Sequence, residues 1–298
     1  MPSNAFPLAL IGLCLSCVAP LAAQLSAPPE EVPAPKVLMV IQEHVKEGRE
    51  AAHAKSEEAW PRLFAKGNVT SHYIGMTAES GPSDAWFLEP YSSFAAMQKE
   101  RAAIQHSALA PDLEVANVQD GDLRTGSRTL LSVFRADLSY HPAEAIASLP
   151  KCRFMSVNVL RIKYGHDADL AQAARMLIDG GEKSNSDQPV LAYQVISGAP
   201  TGTYLLFSPL DSLARMDTAP ARDAAARQAM GDRSQKHFDT LLPEIVQSSE
   251  SLLFSLSPAM SYVSKEFAAA DPAFWLPAPA NPNHKRDRSK RDRPEARP

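Results

Sequence analysis

The chain carries nearly the same passage twice. Lys36-Val-Leu-Met-Val40 through Gly48 returns as Arg153-Phe-Met-Ser-Val157 through Gly165, at an offset of 117 (153 − 36). Phe87-Leu-Glu-Pro90 through Met97 returns as Leu206-Phe-Ser-Pro209 through Met216, at 119 (209 − 90). Leu130-Leu131 through Ser139-Tyr140 returns as Leu252-Leu253 through Ser261-Tyr262, at 122 (262 − 140). Tyr73 is matched to Tyr193 at 120 (193 − 73). Blocks in one order at almost constant spacing identify a tandem duplication. A chain of 298 residues has room for two such modules.

Each module reads as strand, helix, strand, strand, helix, strand. In module one, 36–140, the apolar run Val37–Val45 suits a strand covered on both faces. A helix is expected over 47–66, bent at Pro61 and stopped by Gly67. Strands 71–78 and 84–89 flank the turn residues 79–83. A helix over 92–106 begins near Pro90; an irregular stretch containing Asp120-Gly121-Asp122 then leads into a strand over 127–136. In module two, 152–262, Asp167 is placed to cap a helix whose Leu170, Ala173, Ala174, Leu177 and Ile178 share a face, with Gly180-Gly181 as its end. Strands follow over 190–197 and 203–207. Pro209 falls at the first position of the next helix, so Pro90 and Pro209 mark one shared corner. Pro220 interrupts this helical region, which resumes through Phe238, Leu241, Leu242 and Ile245 before a strand over 251–256.

A βαββαβ unit places two helices on one face of a four-stranded antiparallel sheet, the ferredoxin-like arrangement. The other apolar face must be buried by something. With two modules in one chain, each sheet is expected to cover the other. Leu38, Val40, Met155 and Val157 should then share matching faces. The predicted class is α+β: two ferredoxin-like modules packed as an intramolecular barrel. In element order, duplication and strand composition, residues 36–262 resemble the dimeric α+β-barrel superfamily, with its antibiotic-biosynthesis-monooxygenase-like, EthD-like and NIPSNAP-like proteins. The resemblance implies a cavity between sheets and helices. Members act there as cofactor-free oxygenases or bind haem, but no catalytic motif carries over residue by residue.

The ends read differently from the body. Phe6 to Leu21 is apolar and closes on Ala22-Ala23-Gln24, the pattern of a signal peptide over 1–23. Lipidation at Cys17 is the alternative, although Cys14-Leu15-Ser16-Cys17 lacks the leucine usual three residues before such a cysteine. Residues 24–35 form a proline-rich spacer. Cleavage after Ala23 leaves Cys152 alone, so no internal disulfide can form. Phe274-Trp275 is expected to dock the segment 263–276 onto the body. Residues 277–298 read as a disordered basic tail. From His284 on, seven Lys/Arg stand against three Asp/Glu, so a net charge of −4 divides into +4 there and −8 elsewhere. An acidic body speaks against nucleic acid as a partner of the folded part. No integral span is expected after leader removal. The tail offers contact with an anionic envelope surface, although a solvated tail without a partner is the plainer reading.

Motifs for zinc, phosphate loops and a nucleophile elbow are absent. Gly198-Ala-Pro-Thr-Gly202 reads as a hairpin turn. No two histidines have metal-pair spacing, and no cofactor is expected. His106 and His237, the haem alternatives, lie on ordinary polar helix faces. Residues found in only one copy are the better site candidates. That logic selects His72, Trp60 and Trp86 as pocket-lining residues, with His53 and His44 beside them, although packed tryptophans and satisfied core histidines are commoner than ligands. Tyr140 and Tyr262 read as strand ends packed on the neighbouring module. The leading expectation is an exported protein that binds a small molecule in the cavity. The alternatives are a cofactor-free oxygenase or isomerase with His72 or His53 as proton carrier, and an envelope interaction module acting through the tail.

Overall fold

The computed structural model describes residues 33–276. The leader, the spacer up to Val32 and the basic tail lie outside the described residues. Eight strands close into one antiparallel barrel. They are β1 Val37–Val45, β2 Tyr73–Ser80, β3 Asp84–Tyr91, β4 Arg124–Phe134, β5 Phe154–Ile162, β6 Leu191–Ser197, β7 Thr203–Leu210 and β8 Val246–Tyr262. Their order around the barrel is β1-β3-β2-β8-β5-β7-β6-β4. Each module supplies four neighbours, and the two sheets join along equivalent seams, β2–β8 and β4–β6. Closure leaves no sheet edge unpaired. This is the α+β barrel of two four-stranded sheets expected from the duplication, completed within a single chain.

Side-chain alternation along β1 explains its unbroken apolar run. Leu38 and Val40 point into the barrel, whereas Val37 and Met39 pack on its outer side. Leu38, Val40, Met155 and Val157 all enter one interior cluster, to which all eight strands contribute. The helices lie outside. Module one has α1 Glu50–Glu57, α2 Ala59–Lys66, α3 Phe94–Gln105 and α4 Ala110–Gly121. A short α5, Pro142–Ser148, links the modules. Module two has α6 Asp167–Lys183, α7 Ala214–Ala229 and α8 Asp232–Ile245; α9 Lys265–Ala269 and α10 Pro272–Trp275 follow β8. Among the described residues, no helix is long and apolar enough to cross a membrane.

Several local expectations are corrected. Residues 47–66 form two helices, because Pro61 has no N–H to give the Glu57 carbonyl four residues back. The helix α2 ends with Asn68 at φ 49°, while Val69 N–H bonds back to Phe64 O at 3.0 Å. The stretch before Asp122 is helical, not irregular: Leu113, Ala116 and Asp120 form the buried face of α4, and the carboxylate hides the apolar periodicity. Pro90 and Pro209 sit in β3 and β7, not at helix starts. Each lies beyond the last paired residue of its inner neighbour, at Ile74↔Leu88 and Leu191↔Phe207, so the missing N–H costs no ladder bond. Gly180 and Gly181 lie inside α6; a Cβ on Gly180 would stand 2.4 Å from Ala226 O of α7. Pro220 is carried within α7, and the helical region breaks at Gly231, φ 78°.

One correction changes a face. Leu88 and Phe207 are equivalent in β3 and β7, and their partners Ile74 and Leu191 set the offset of β2 and β6 at 117 (191 − 74). Tyr193 is therefore equivalent to Met76, inside the barrel, and Tyr73 to Val190. Tyr73 packs outward on Phe64 and Leu109. A slip of three residues had exchanged the two faces.

Candidate functional site

One end of the barrel interior is not filled. A cavity of about 270 Å³ lies there, with a predominantly apolar wall. Equivalent residues of both modules face each other across it: Leu38 and Met155, Ile74 and Leu191, Leu88 and Phe207. Its cover is also contributed twice. Ile146 and Leu149 follow the last strand of module one, while Val263 and Phe267 follow that of module two. Segment Pro33–Pro35 crosses the opening, and Pro35 O accepts a 3.0 Å hydrogen bond from the Tyr193 hydroxyl. That hydroxyl is polar but committed.

His72 breaks the symmetry. The position equivalent to it in module two is Pro189, at the offset of 117. His72 lines the cavity, and its ring stacks on Tyr262, with centroids 5.1 Å apart and planes at 18°. Burial holds the imidazole below its ordinary pKa, against the opposing influence of Glu266 and Glu100. At neutral pH the ring is uncharged and can accept a proton.

The other four residues selected from the sequence stand elsewhere. Trp86 is inside the barrel against Phe254, at 4.9 Å between centroids, but packed away from the cavity. Trp60 lies on α2 outside the barrel, edge-on to Phe64. His44 is half-exposed at the end of β1 and pairs with Asp84 at 2.8 Å. Alternation forces these separations, since a strand sends neighbours to opposite faces and helices never face the interior. Trp275 is buried, and its indole N–H donates to Pro150 O at 2.6 Å. Cys152 is also buried, and the loss of solvation pushes its thiol up to about 11, which leaves it unreactive.

His53 belongs to a second constellation, between the barrel wall and the helices of module one. Glu43 of β1, His53 and Glu57 of α1, and Asp120 of α4 are all buried. His53 Nε2 lies 2.8 Å from Glu43 Oε2 and 3.4 Å from Asp120 Oδ1. Arg124 pairs with Glu43 and reaches to 3.4 Å from Asp120 Oδ2. Burial, and then the neighbouring carboxylates Glu43 and Asp120, push Glu57 up to about 9. His53 and Glu57 stand one turn apart on one helix face, a spacing that shows in the sequence once carboxylates are counted as ligands beside histidine and cysteine.

Haem does not fit the described residues. His106 and His237 are exposed outside the barrel, and His237 is engaged with Gln172 at 3.0 Å. A 270 Å³ space also lies below the ~300–1,000 Å³ of pockets that hold drug-sized molecules. No protein-family model matches the chain, and no curated protein matches it. Similar solved structures include an anthrone oxidase-like protein (11% identity, 77% of this chain and 94% of the other, TM-score 0.49). A monooxygenase candidate from Fusobacterium nucleatum shows 12% identity over 76% of this chain and 94% of its own, with TM-score 0.48. A mutant chlorite dismutase from Candidatus Nitrospira defluvii shows 11% identity over 76% and 93%, with TM-score 0.43.

Proposed function

We propose that the protein binds a small, largely apolar molecule at the end of its barrel. The observation that supports this best is the 270 Å³ cavity, held open between two sheets whose interior is otherwise packed. An engineered apolar cavity of ~150 Å³ holds benzene, so this one has room for a molecule of one or two rings. Apolar walls supply the affinity, and His72 is the polar group that orients the ligand. An uncharged His72 also supports a second reading, proton abstraction from the ligand in a cofactor-free oxygenation or isomerisation. Export is part of the proposal, on the strength of the leader pattern in residues 1–23. Native mass spectrometry of the full chain from its own host should reveal a bound small molecule, displaced in Ile74→Trp, which fills the cavity. Absence of any bound mass, together with no saturable uptake of anilinonaphthalene sulfonate, counts against the binding reading. Turnover of the recovered ligand that is lost in His72→Ala selects the enzyme reading.

A further inference from the structure

We propose that Glu43, His53, Glu57 and Asp120 form a binding site for one divalent transition-metal cation, outside the barrel and separate from the cavity. Geometry comes first. One donor atom from each residue can be chosen so that all four lie within 4.8 Å of one another. The donors come from three elements, β1, α1 and α4, so a single ion would fasten both helices to the barrel wall. One imidazole nitrogen and three carboxylates suit zinc, manganese or ferrous iron better than a soft metal or an all-oxygen calcium site.

The second observation is Asp120. Its side chain is 1% exposed, and neither carboxylate oxygen accepts a hydrogen bond from any described residue. The nearest charged donors, His53 Nε2 and Arg124 Nε, each stand 3.4 Å away without hydrogen-bond geometry, and a buried carboxylate held so loosely is costly. Once Glu57 gives up its proton as the ion binds, three carboxylates against Arg124 leave −2, which one divalent cation neutralises with His53 uncharged as a ligand.

The duplication supplies an internal control. At offsets of 117 and 122, module two places Leu160, Leu170, Ala174 and Leu242 at the positions of Glu43, His53, Glu57 and Asp120. There they join an apolar cluster. The fold therefore does not require polar groups at these four positions. A buried site with four protein ligands and no open position is of the structural type.

The test uses the full chain, freed of metal by a chelator and titrated with Zn²⁺ and with Mn²⁺, with Ca²⁺ as the hard-ion comparison. Calorimetry should give one ion per chain, with Zn²⁺ or Mn²⁺ at least tenfold tighter than Ca²⁺, and the thermal midpoint should rise by several degrees. Asp120→Asn and Glu57→Gln should each weaken binding at least tenfold. Glu57→Gln keeps the shape of the protonated side chain, so it reports on binding even where Asp120→Asn fails to fold. No uptake of either metal, or uptake unchanged in both variants, overturns the site and leaves a proton shared between Glu57 and Asp120 as the sole occupant.

Discussion

Between the barrel wall and its helices, the two modules solve one packing problem with opposite chemistry. In module two, Leu160, Leu170, Ala174, Leu242 and Val246 belong to an apolar layer with Phe238 and Ile245. The matching positions of module one hold Glu43, His53, Glu57, Asp120 and Arg124. Inside the barrel the copies agree, apolar against apolar, because each must bury the other's bare sheet face. The difference teaches where constraint lies. A buried ionisable network is weak evidence of stability, since well-packed apolar residues usually do as well or better in its place. Module two shows that this fold accepts such residues, so the fold does not require the polar network of module one.

The largest expected effect tests the agreement. Expressed separately, Lys36–Tyr140 and Cys152–Trp275 each expose an apolar sheet face and two strand edges, far beyond the few hundred Å² that soluble monomers usually show. Each half should aggregate or self-associate, and mixing should restore a compact heterodimer in sedimentation. Two well-behaved monomers that ignore each other would break the fused-barrel account.

The next effect tests the difference. His53→Leu alone, in metal-free protein, should cost about 3–5 kcal/mol, because it strips a partner from buried Glu43 and Asp120. Converting all five positions to their module-two residues should be neutral, or stabilising by about 1–4 kcal/mol. Urea denaturation of both variants decides it. A five-residue swap as damaging as the single change would show that the network holds module one together.

A smaller effect sharpens the electrostatics. In the metal-free folded chain, Glu57 keeps its proton up to about pH 9 against an ordinary 4.5, so the folded state binds more protons between those values. Stability from this group is therefore complete below about pH 4.5 and is lost as pH rises toward 9. Glu57→Gln cannot lose a proton and should flatten that decline. Denaturation midpoints at several pH values with chelator present should converge for the two proteins at the acid end and separate at the alkaline end. Parallel curves would remove Glu57 as the titrating group.

Much of this was legible in the residues. The run Val37–Val45 marks β1 to the residue, and the repeat offsets place Leu38, Val40, Met155 and Val157 in one interior layer. The same offsets set His53 against Leu170 and Asp120 against Leu242, a contrast between the copies that the sequence itself carries. The errors have local causes. Tyr73 and Tyr193 are alike in type yet three residues out of register, and a period of two turns that slip into a change of face. Asp120 at a core position of α4 erased the apolar signal by which a helix is recognised.

By itself, the sequence determined the duplication, the strand-and-helix order and the bare apolar face that obliges two sheets to close on each other, because these follow from periodicity and the cost of exposed apolar surface. Only the tertiary structure decided that His72 reaches a cavity while Trp60, Trp86, His53 and His44 do not. It alone gathered Glu43, His53, Glu57 and Asp120, from three elements up to 77 positions apart (120 − 43), into one buried cluster. Periodicity reports which face a side chain takes; which distant faces meet is set by strand pairing and helix packing across the whole barrel.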